Sequence, residues 1–185
     1  MSGSHDQVRV PPLAPSERDE RQAALVARAG AELSVFTTLV RSPDVFADFL
    51  TFGQRLLEQS TLNPRIRELL ILRVAWRCRA AYIWSHHQVI GRAAGLTDDD
   101  LAASARGTVE NADPLRALML RVADELVTEH RLSDSTWRDL TARYPIHQVI
   151  ETSMLVGAYA MLAGALNSLG VQIEEGYPVP DWAGR

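Results

Sequence analysis

Apolar residues recur at intervals of three and four along most of this chain, which is the period of an amphipathic α-helix. The clearest stretch covers residues 45–58, where one face carries Phe46, Phe49, Leu50 and Leu57. The same pattern, bounded by capping and breaking residues, predicts helices over residues 16–29, 33–40, 64–79, 80–95, 97–106, 113–130, 133–143 and 146–169. Only the short stretch 171–173 suggests a strand. We therefore predict an all-α helical bundle.

Turn and capping residues set the limits of the domain. Asn63 followed by Pro64 is a strong helix start, because a capping side chain precedes a proline at the first helical position. Residues 1–15 are polar and contain three prolines, so we expect a flexible N-terminal arm. Residues 16–185 are then expected to form a single all-α domain.

Composition narrows the class of protein. The 185 residues carry a formal net charge of -4, which argues against a nucleic-acid-binding domain. No apolar run reaches membrane-spanning length, and the longest candidate, Met154–Leu169, fits a buried helix better. The first residues lack the basic-then-apolar order of a signal peptide, so we expect a cytoplasmic protein. A single cysteine, Cys78, allows no disulfide within one chain.

The last predicted helix is rich in small residues. Glycine and alanine recur from Gly157 to Ala165, which permits another helix to approach closely. Two alternatives follow: tight packing within one subunit, or an interface between subunits, because a helix that is apolar all round must be covered.

A carboxylate lies inside the apolar run of residues 64–79. Glu68 shares a helix face with Ile71, Leu72 and Ala75, so it is expected to be buried. A buried carboxylate is either paired or has a raised pKa, which is how general acids and bases arise. The alternative is a structural ion pair with Arg65, Arg67, Arg73 or an arginine of another helix.

The next helix carries a phenol and two imidazoles. Tyr82 and His86 are four residues apart, whereas His87 points about 100° away from His86, so we expect at most one histidine to face the same pocket as Tyr82. No histidine lies four residues from either one, and no cysteine spacing suits zinc, so we expect no metal. Without a glycine-rich phosphate loop, we expect no nucleotide or other cofactor.

Three stretches resemble the carboxymuconolactone decarboxylase-like family, which includes the alkylhydroperoxidase D (AhpD) proteins. The similarity is densest between Thr61 and Leu101, in the runs NPRIRELLILRVA, AYIWSHH and AAGLTD. The resemblance implies an all-α fold of the AhpD type. It also implies a homo-oligomer, as dimers, trimers or hexamers, without nucleic-acid or membrane partners.

The chain departs from this family at its redox motif. The peroxidase branch has a glutamate before CxxCxxxH, which maps onto Glu68, Ala80, Ile83 and His87, so both thiols are absent. Because peroxide reduction by that motif needs an attacking and a resolving thiolate, we do not expect a thiol peroxidase. Cysteine-free relatives often read AEYEWxxH, and here both acidic positions are apolar, Ala81 and Ile83.

The resemblance implies a cofactor-independent lyase or isomerase that acts on a small carboxylic acid, lactone or conjugated carbonyl compound by proton transfer. The expected catalytic residues are Glu68, His87, His86 and Tyr82, and the expected substrate-binding residues are Trp84, Arg73 and Ile83. Arg73 would pair with a substrate carboxylate or with Glu68. The alternative is a non-catalytic oligomeric protein that binds a small molecule or a partner.

Overall fold

A computed structural model describes residues 7–106 and 113–183. These residues form nine α-helices and no strand, which confirms the predicted all-α fold, and the stretch 171–173 is irregular. The helices are α1 Glu20–Ala29, α2 Ser34–Leu39, α3 Pro43–Leu57, α4 Pro64–Arg77, α5 Ala81–Ala93, α6 Asp98–Arg106, α7 Pro114–Thr128, α8 Asp134–Thr141 and α9 Ile146–Leu169.

Capping side chains explain where the helices begin. The side chain of Asn63 accepts a hydrogen bond from the N–H of Arg65, as the sequence pattern predicts. The start predicted for α1 at Ser16 was wrong, because residues 15–17 form a separate turn of 3₁₀-helix. The capping residue of α1 is Asp19, whose side chain accepts from the N–H of Gln22.

Helix α4 is the centre of the fold, and α5, α6, α7 and α9 pack around it. Every residue from Glu68 to Ala75 is buried, which explains why this segment is apolar on more than one face. Each fully buried leucine or isoleucine contributes about 1.5–3 kcal/mol. A carboxylate at position 68 therefore lies in the most densely covered helix of the protein.

Helix α9 buries one face and exposes the other. Val149, Leu155 and Tyr159 are buried, whereas an apolar stripe on the opposite face is exposed: Ile146, Ile150, Met154 and Met161. By length and composition α9 is the one helix in the described ranges that could span a membrane, with 39% of its most apolar window buried. The expectation of a buried helix therefore holds for one face of α9.

The described part of the expected arm is packed rather than free. The N–H groups of Arg9 and Val10 donate to the carbonyl of Leu169, and the N–H of Leu13 donates to the carbonyl of Thr37. The side chain of Leu13 is buried in a small apolar cluster with residues of α1 and α3. Residues 1–6 of the arm lie outside the described ranges.

Gly170 ends α9 with φ +68°, and a Cβ at this position would collide with the backbone oxygen of Gln7. We therefore expect Gly170→Ala to cost clearly more stability than Gly30→Ala. Gly30 has the same left-handed backbone at φ +79° with open space around it, so alanine there costs about 1–2 kcal/mol of backbone strain alone.

Chemical denaturation measures the free energy of unfolding of the two variants and the wild type. Amide exchange at Arg9 and Val10 reports whether the N-terminal arm detaches from the end of α9. Equal losses of stability in the two variants, with unchanged exchange at these amides, would contradict the packed arm.

Candidate active site

A cavity of about 250 Å³ lies between α2 and α3 on one side and α5 and α9 on the other. Most of its wall is apolar, from residues such as Val35, Phe36, Phe49, Leu50, Leu57, Ile83, Ile90, Leu162 and Leu166. Among its polar lining residues, four carry rings and are here called the polar wall: Tyr82, His86, His87 and Tyr159. Both histidines therefore line the same cavity as Tyr82, so the expectation that at most one would do so was wrong. An apolar cavity with a few convergent polar groups is the usual form of a small-molecule site.

His87 is held between a carboxylate and a phenol. Its Nδ1 lies 2.7 Å from Oε2 of Glu68, and its Nε2 lies 3.1 Å from the hydroxyl of Tyr159. Both nitrogens of the imidazole therefore have partners. With the Nδ1–H donating to Glu68, Nε2 is free to accept the Tyr159 proton.

Glu68 lies behind this histidine and is fully buried. Its other oxygen, Oε1, accepts from Nε of Arg67 at 3.1 Å, and Arg67 also donates to the carbonyl of Leu57. Both oxygens of the carboxylate are thus satisfied, as a buried charge requires. Glu68 does not line the cavity, so its contact with the cavity runs through His87.

Gly91 of α5 lies where this helix packs against α4. Gly91 lies one turn after His87, and a Cβ there would be 3.5 Å from Cβ of Glu68 and 2.7 Å from a methyl carbon of Leu96. The distances to α4 are ordinary van der Waals contacts, so a side chain at position 91 would chiefly displace the Leu96 methyl group.

Tyr159 is the last of the three hydrogen-bonded side chains Glu68, His87 and Tyr159, and it lines the cavity. Burial, and after it the negative charge of Glu68, raise the pKa of Tyr159 well above its usual value. The phenol therefore keeps its proton at neutral pH unless His87 accepts it.

The second histidine has a carboxylate of its own. Nε2 of His86 lies 2.6 Å from Oε2 of Glu174, and the hydroxyl of Tyr82 donates to Oε1 of Glu174 at 2.8 Å. The ring of His86 lies between those of Tyr82 and Tyr177, with centroid distances of 4.5 and 3.9 Å. Burial lowers the pKa of His86, although Glu174 opposes that shift.

Glu174 and Tyr177 belong to the C-terminal segment, residues 171–183, which lies along α5. The hydroxyl of Ser85 donates to the carbonyl of Pro178 at 2.7 Å, which fixes the segment in place. Sequence reasoning missed Glu174, Tyr177 and also Tyr159. They lie far along the chain from His86 and His87, so no local spacing links them.

Two residues expected to bind substrate lie elsewhere. Arg73 donates to both carboxylate oxygens of Asp124, at 2.7 and 2.8 Å, and to the carbonyl of Ser104, so it contacts neither Glu68 nor the cavity. Trp84 packs edge-on against Trp182 at 6.0 Å and is not part of the cavity wall. Both side chains leave their helices on faces that other elements cover. Ile83, in contrast, lines the cavity.

Cys78 is remote from this chemistry. It follows the last turn of α4, is half-buried and is not part of the cavity wall. Burial raises the pKa of its thiol, which makes it less reactive. Within residues 7–106 and 113–183, no group of three or more histidine, cysteine, aspartate or glutamate side chains is arranged to hold a metal ion.

Residues 43–125 match the sequence profile of the carboxymuconolactone decarboxylase family. This match covers 83 of the 185 residues and supports membership of that family. The matched range contains Glu68, Tyr82, His86 and His87, but it ends before Tyr159 and Glu174. A search of curated proteins finds no significant match.

Solved structures share the fold at low sequence identity. A peroxidase-related AhpD core protein from Ralstonia eutropha is 18% identical, with a TM-score of 0.71 over 84% of each chain. A protein of unknown function from Agrobacterium tumefaciens, named as a candidate AhpD antioxidant defence protein, is 17% identical, with a TM-score of 0.64 over 74% of this chain and 94% of its own. A cysteine-to-alanine variant of the debrominase Bmp8, bound to 2,3,4-tribromopyrrole, is 15% identical, with a TM-score of 0.69 over 94% of this chain and 95% of its own.

Glu174 should make stability depend on pH. Burial opposes its ionisation, but hydrogen bonds from the Ser34 N–H, Tyr82 and His86 lower its pKa below the ordinary 4.5. The ionised carboxylate therefore stabilises the fold fully above pH 4.5, and this contribution is lost as the pH falls through the lower, folded-state pKa. We expect Glu174→Gln to cost about 1–2 kcal/mol at pH 7 and progressively less below pH 4.5.

Thermal unfolding of the wild type and of Glu174→Gln, from pH 7 to below pH 4.5, measures the difference in stability between them. The control is Glu175→Gln, which changes an exposed neighbour. A difference between wild type and Glu174→Gln that stays constant down to acidic pH would contradict the contacts assigned to Glu174.

Proposed function

We propose that this protein is a cofactor-independent enzyme that transfers protons on a small conjugated carbonyl compound, lactone or carboxylic acid. The observation that carries the proposal is His87, held between the buried carboxylate of Glu68 and the hydroxyl of Tyr159 beside an apolar cavity. The match to the carboxymuconolactone decarboxylase family and the fold shared with a debrominase support an enzyme, and the proton-transfer chemistry is our inference from the site.

The contacts suit a proton relay. A carbon-bound proton of the substrate passes to the oxygen of Tyr159 while the phenolic proton passes to Nε2 of His87. The electron pair of the broken C–H bond moves into the conjugated carbonyl, which becomes an enolate. The imidazolium that forms lies 2.7 Å from Glu68, which stabilises its charge. Reversal of these steps at another carbon completes an isomerisation.

The apolar walls support the same chemistry. Few water molecules fit a cavity of about 250 Å³ once a small substrate fills it. Electrostatic interactions inside it are then stronger than in water, so the imidazolium and carboxylate stabilise each other more. Thiol peroxidase chemistry is not proposed, because Ala80 and Ile83 occupy the positions of the family's two cysteines.

A second candidate is a binding protein without catalysis. The observation in its favour is the ion pair of Glu68 with Arg67, which would also form in a purely structural core. The two candidates differ in one outcome: both bind a small molecule in the cavity, but only the enzyme exchanges a carbon-bound proton of that molecule.

We also propose that the chain forms homo-oligomers in the cytoplasm. The exposed apolar stripe of α9 supports self-association, because monomeric proteins rarely leave large contiguous apolar patches uncovered. Sedimentation velocity of the wild type measures the assembly. A monomer at micromolar concentration would contradict this part of the proposal.

Exchange of carbon-bound protons in D₂O tests the enzyme directly. We expect the wild type to exchange protons of α-angelica lactone or 2-cyclohexenone, followed by ¹H NMR. Glu68→Gln should slow that exchange by about 10²-fold, because a neutral amide stabilises the His87 imidazolium poorly. Tyr159→Phe should act in the same direction, because it removes the hydroxyl that faces the cavity.

The control is Glu129→Gln, an exposed glutamate that is not part of the cavity wall. Absence of exchange with the wild type, or equal exchange in wild type and Glu68→Gln, would contradict the proposed function.

A further inference from the structure

We infer that the cavity selects uncharged compounds and excludes carboxylates, so that the substrate is a neutral conjugated ketone, ester or lactone. The reaction assigned to that substrate rests on the proposed function, but the charge selectivity rests on the cavity alone. The inference narrows the proposed chemistry to isomerisation or lactone chemistry, because decarboxylation of a free acid requires an anion to bind.

Two arginines of α4 are already paired. Arg67 donates to Glu68 and to the carbonyl of Leu57, and Arg73 donates to Asp124. Neither side chain is part of the cavity wall. A carboxylate inside the cavity would therefore lack the bidentate guanidinium partner that such groups require when buried.

Arg28 is the one arginine or lysine among the described wall residues, and it is exposed. Its guanidinium donates to the hydroxyl of Thr51 at 2.7 Å. The same wall also includes the exposed carboxylate of Glu58. The charge of Arg28 is thus screened by water and opposed by a neighbouring charge of the other sign.

The polar wall itself repels anions. Two carboxylates lie directly behind its histidines, Glu68 behind His87 and Glu174 behind His86, at 2.7 and 2.6 Å. One guanidinium, that of Arg67, accompanies them. When both histidines are neutral, this part of the site therefore carries an excess of one negative charge. Protonation of His87 only cancels that excess.

A neutral carbonyl oxygen can bind beside these groups without electrostatic repulsion from the two carboxylates. It can accept a hydrogen bond from a phenol or imidazole of the polar wall while the rest of the molecule contacts apolar side chains. An ionised carboxylate in the same place would lose its hydration and face an excess of one negative charge. The expected preference is at least tenfold in affinity for the uncharged compound.

Benzamide and benzoate form the sharpest probe pair, because they have the same shape and differ in charge at pH 7. Methyl benzoate is a third, neutral ester probe. Isothermal titration calorimetry of the full chain is expected to give a dissociation constant at least about tenfold lower for both neutral compounds than for benzoate. Any weak benzoate binding that remains is expected to disappear in Arg28→Gln, which would assign it to the exposed arginine.

Gly53→Leu tests whether binding occurs in the cavity. Gly53 is part of the cavity wall, and a Cβ there meets no atom within 4 Å, so the larger side chain has room to enter the cavity without disturbing the helix. Benzamide and methyl benzoate binding should then weaken at least tenfold. A melting temperature no lower than that of the wild type shows that the fold is intact, because leucine favours a helix more than glycine does.

The outcomes separate the two proposals. Benzoate binding that equals or exceeds benzamide binding in the wild type would overturn the charge selectivity. Binding that persists in Gly53→Leu, or no binding of any of the three probes, would overturn it as well. Selective binding of the neutral probes together with no proton exchange in D₂O would contradict the proposed function only.

Discussion

The burial of the Glu68 carboxylate in the central helix is the constraint on which this site depends. A charge removed from water needs partners for both oxygens, and Arg67 and His87 supply them. The contact with His87 requires α5 to pack directly against α4, as it does here. Because Nδ1 of His87 is then engaged, Nε2 faces Tyr159, and the core carboxylate is connected to the cavity through two side chains.

Helical periodicity and capping patterns were sufficient to predict the all-α fold. The apolar run of α4 and the Asn63 cap depend only on residues close together in the sequence, so a single sequence is enough to predict them. The same periodicity predicted the burial of Glu68, because this residue shares a helix face with Ile71, Leu72 and Ala75. The start of α1 and the packed arm were not predicted, since the Asp19 cap and the contact with Leu169 depend on the folded context.

Sequence reasoning went wrong about partners that come from distant segments. Arg73 was expected near a substrate or Glu68, but Asp124 of α7 lies opposite it and binds both guanidinium nitrogens. Trp84 was expected to bind substrate, but Trp182 of the C-terminal segment covers it. Tyr159 and Glu174, which complete the two histidine contacts, lie 72 and 88 residues from His87 and His86. One sequence without an alignment carries no signal for pairs so far apart.

The tautomer of His87 tests the central claim most directly. Long-range ¹H–¹⁵N NMR of the ¹⁵N-histidine-labelled protein distinguishes a proton on Nδ1 from one on Nε2. The account predicts that neutral His87 carries its proton on Nδ1, donated to Glu68, with Nε2 accepting from Tyr159. Glu68→Gln should weaken that preference. A wild-type His87 with its proton on Nε2 would contradict the relay, because Tyr159 would then have no acceptor for its proton.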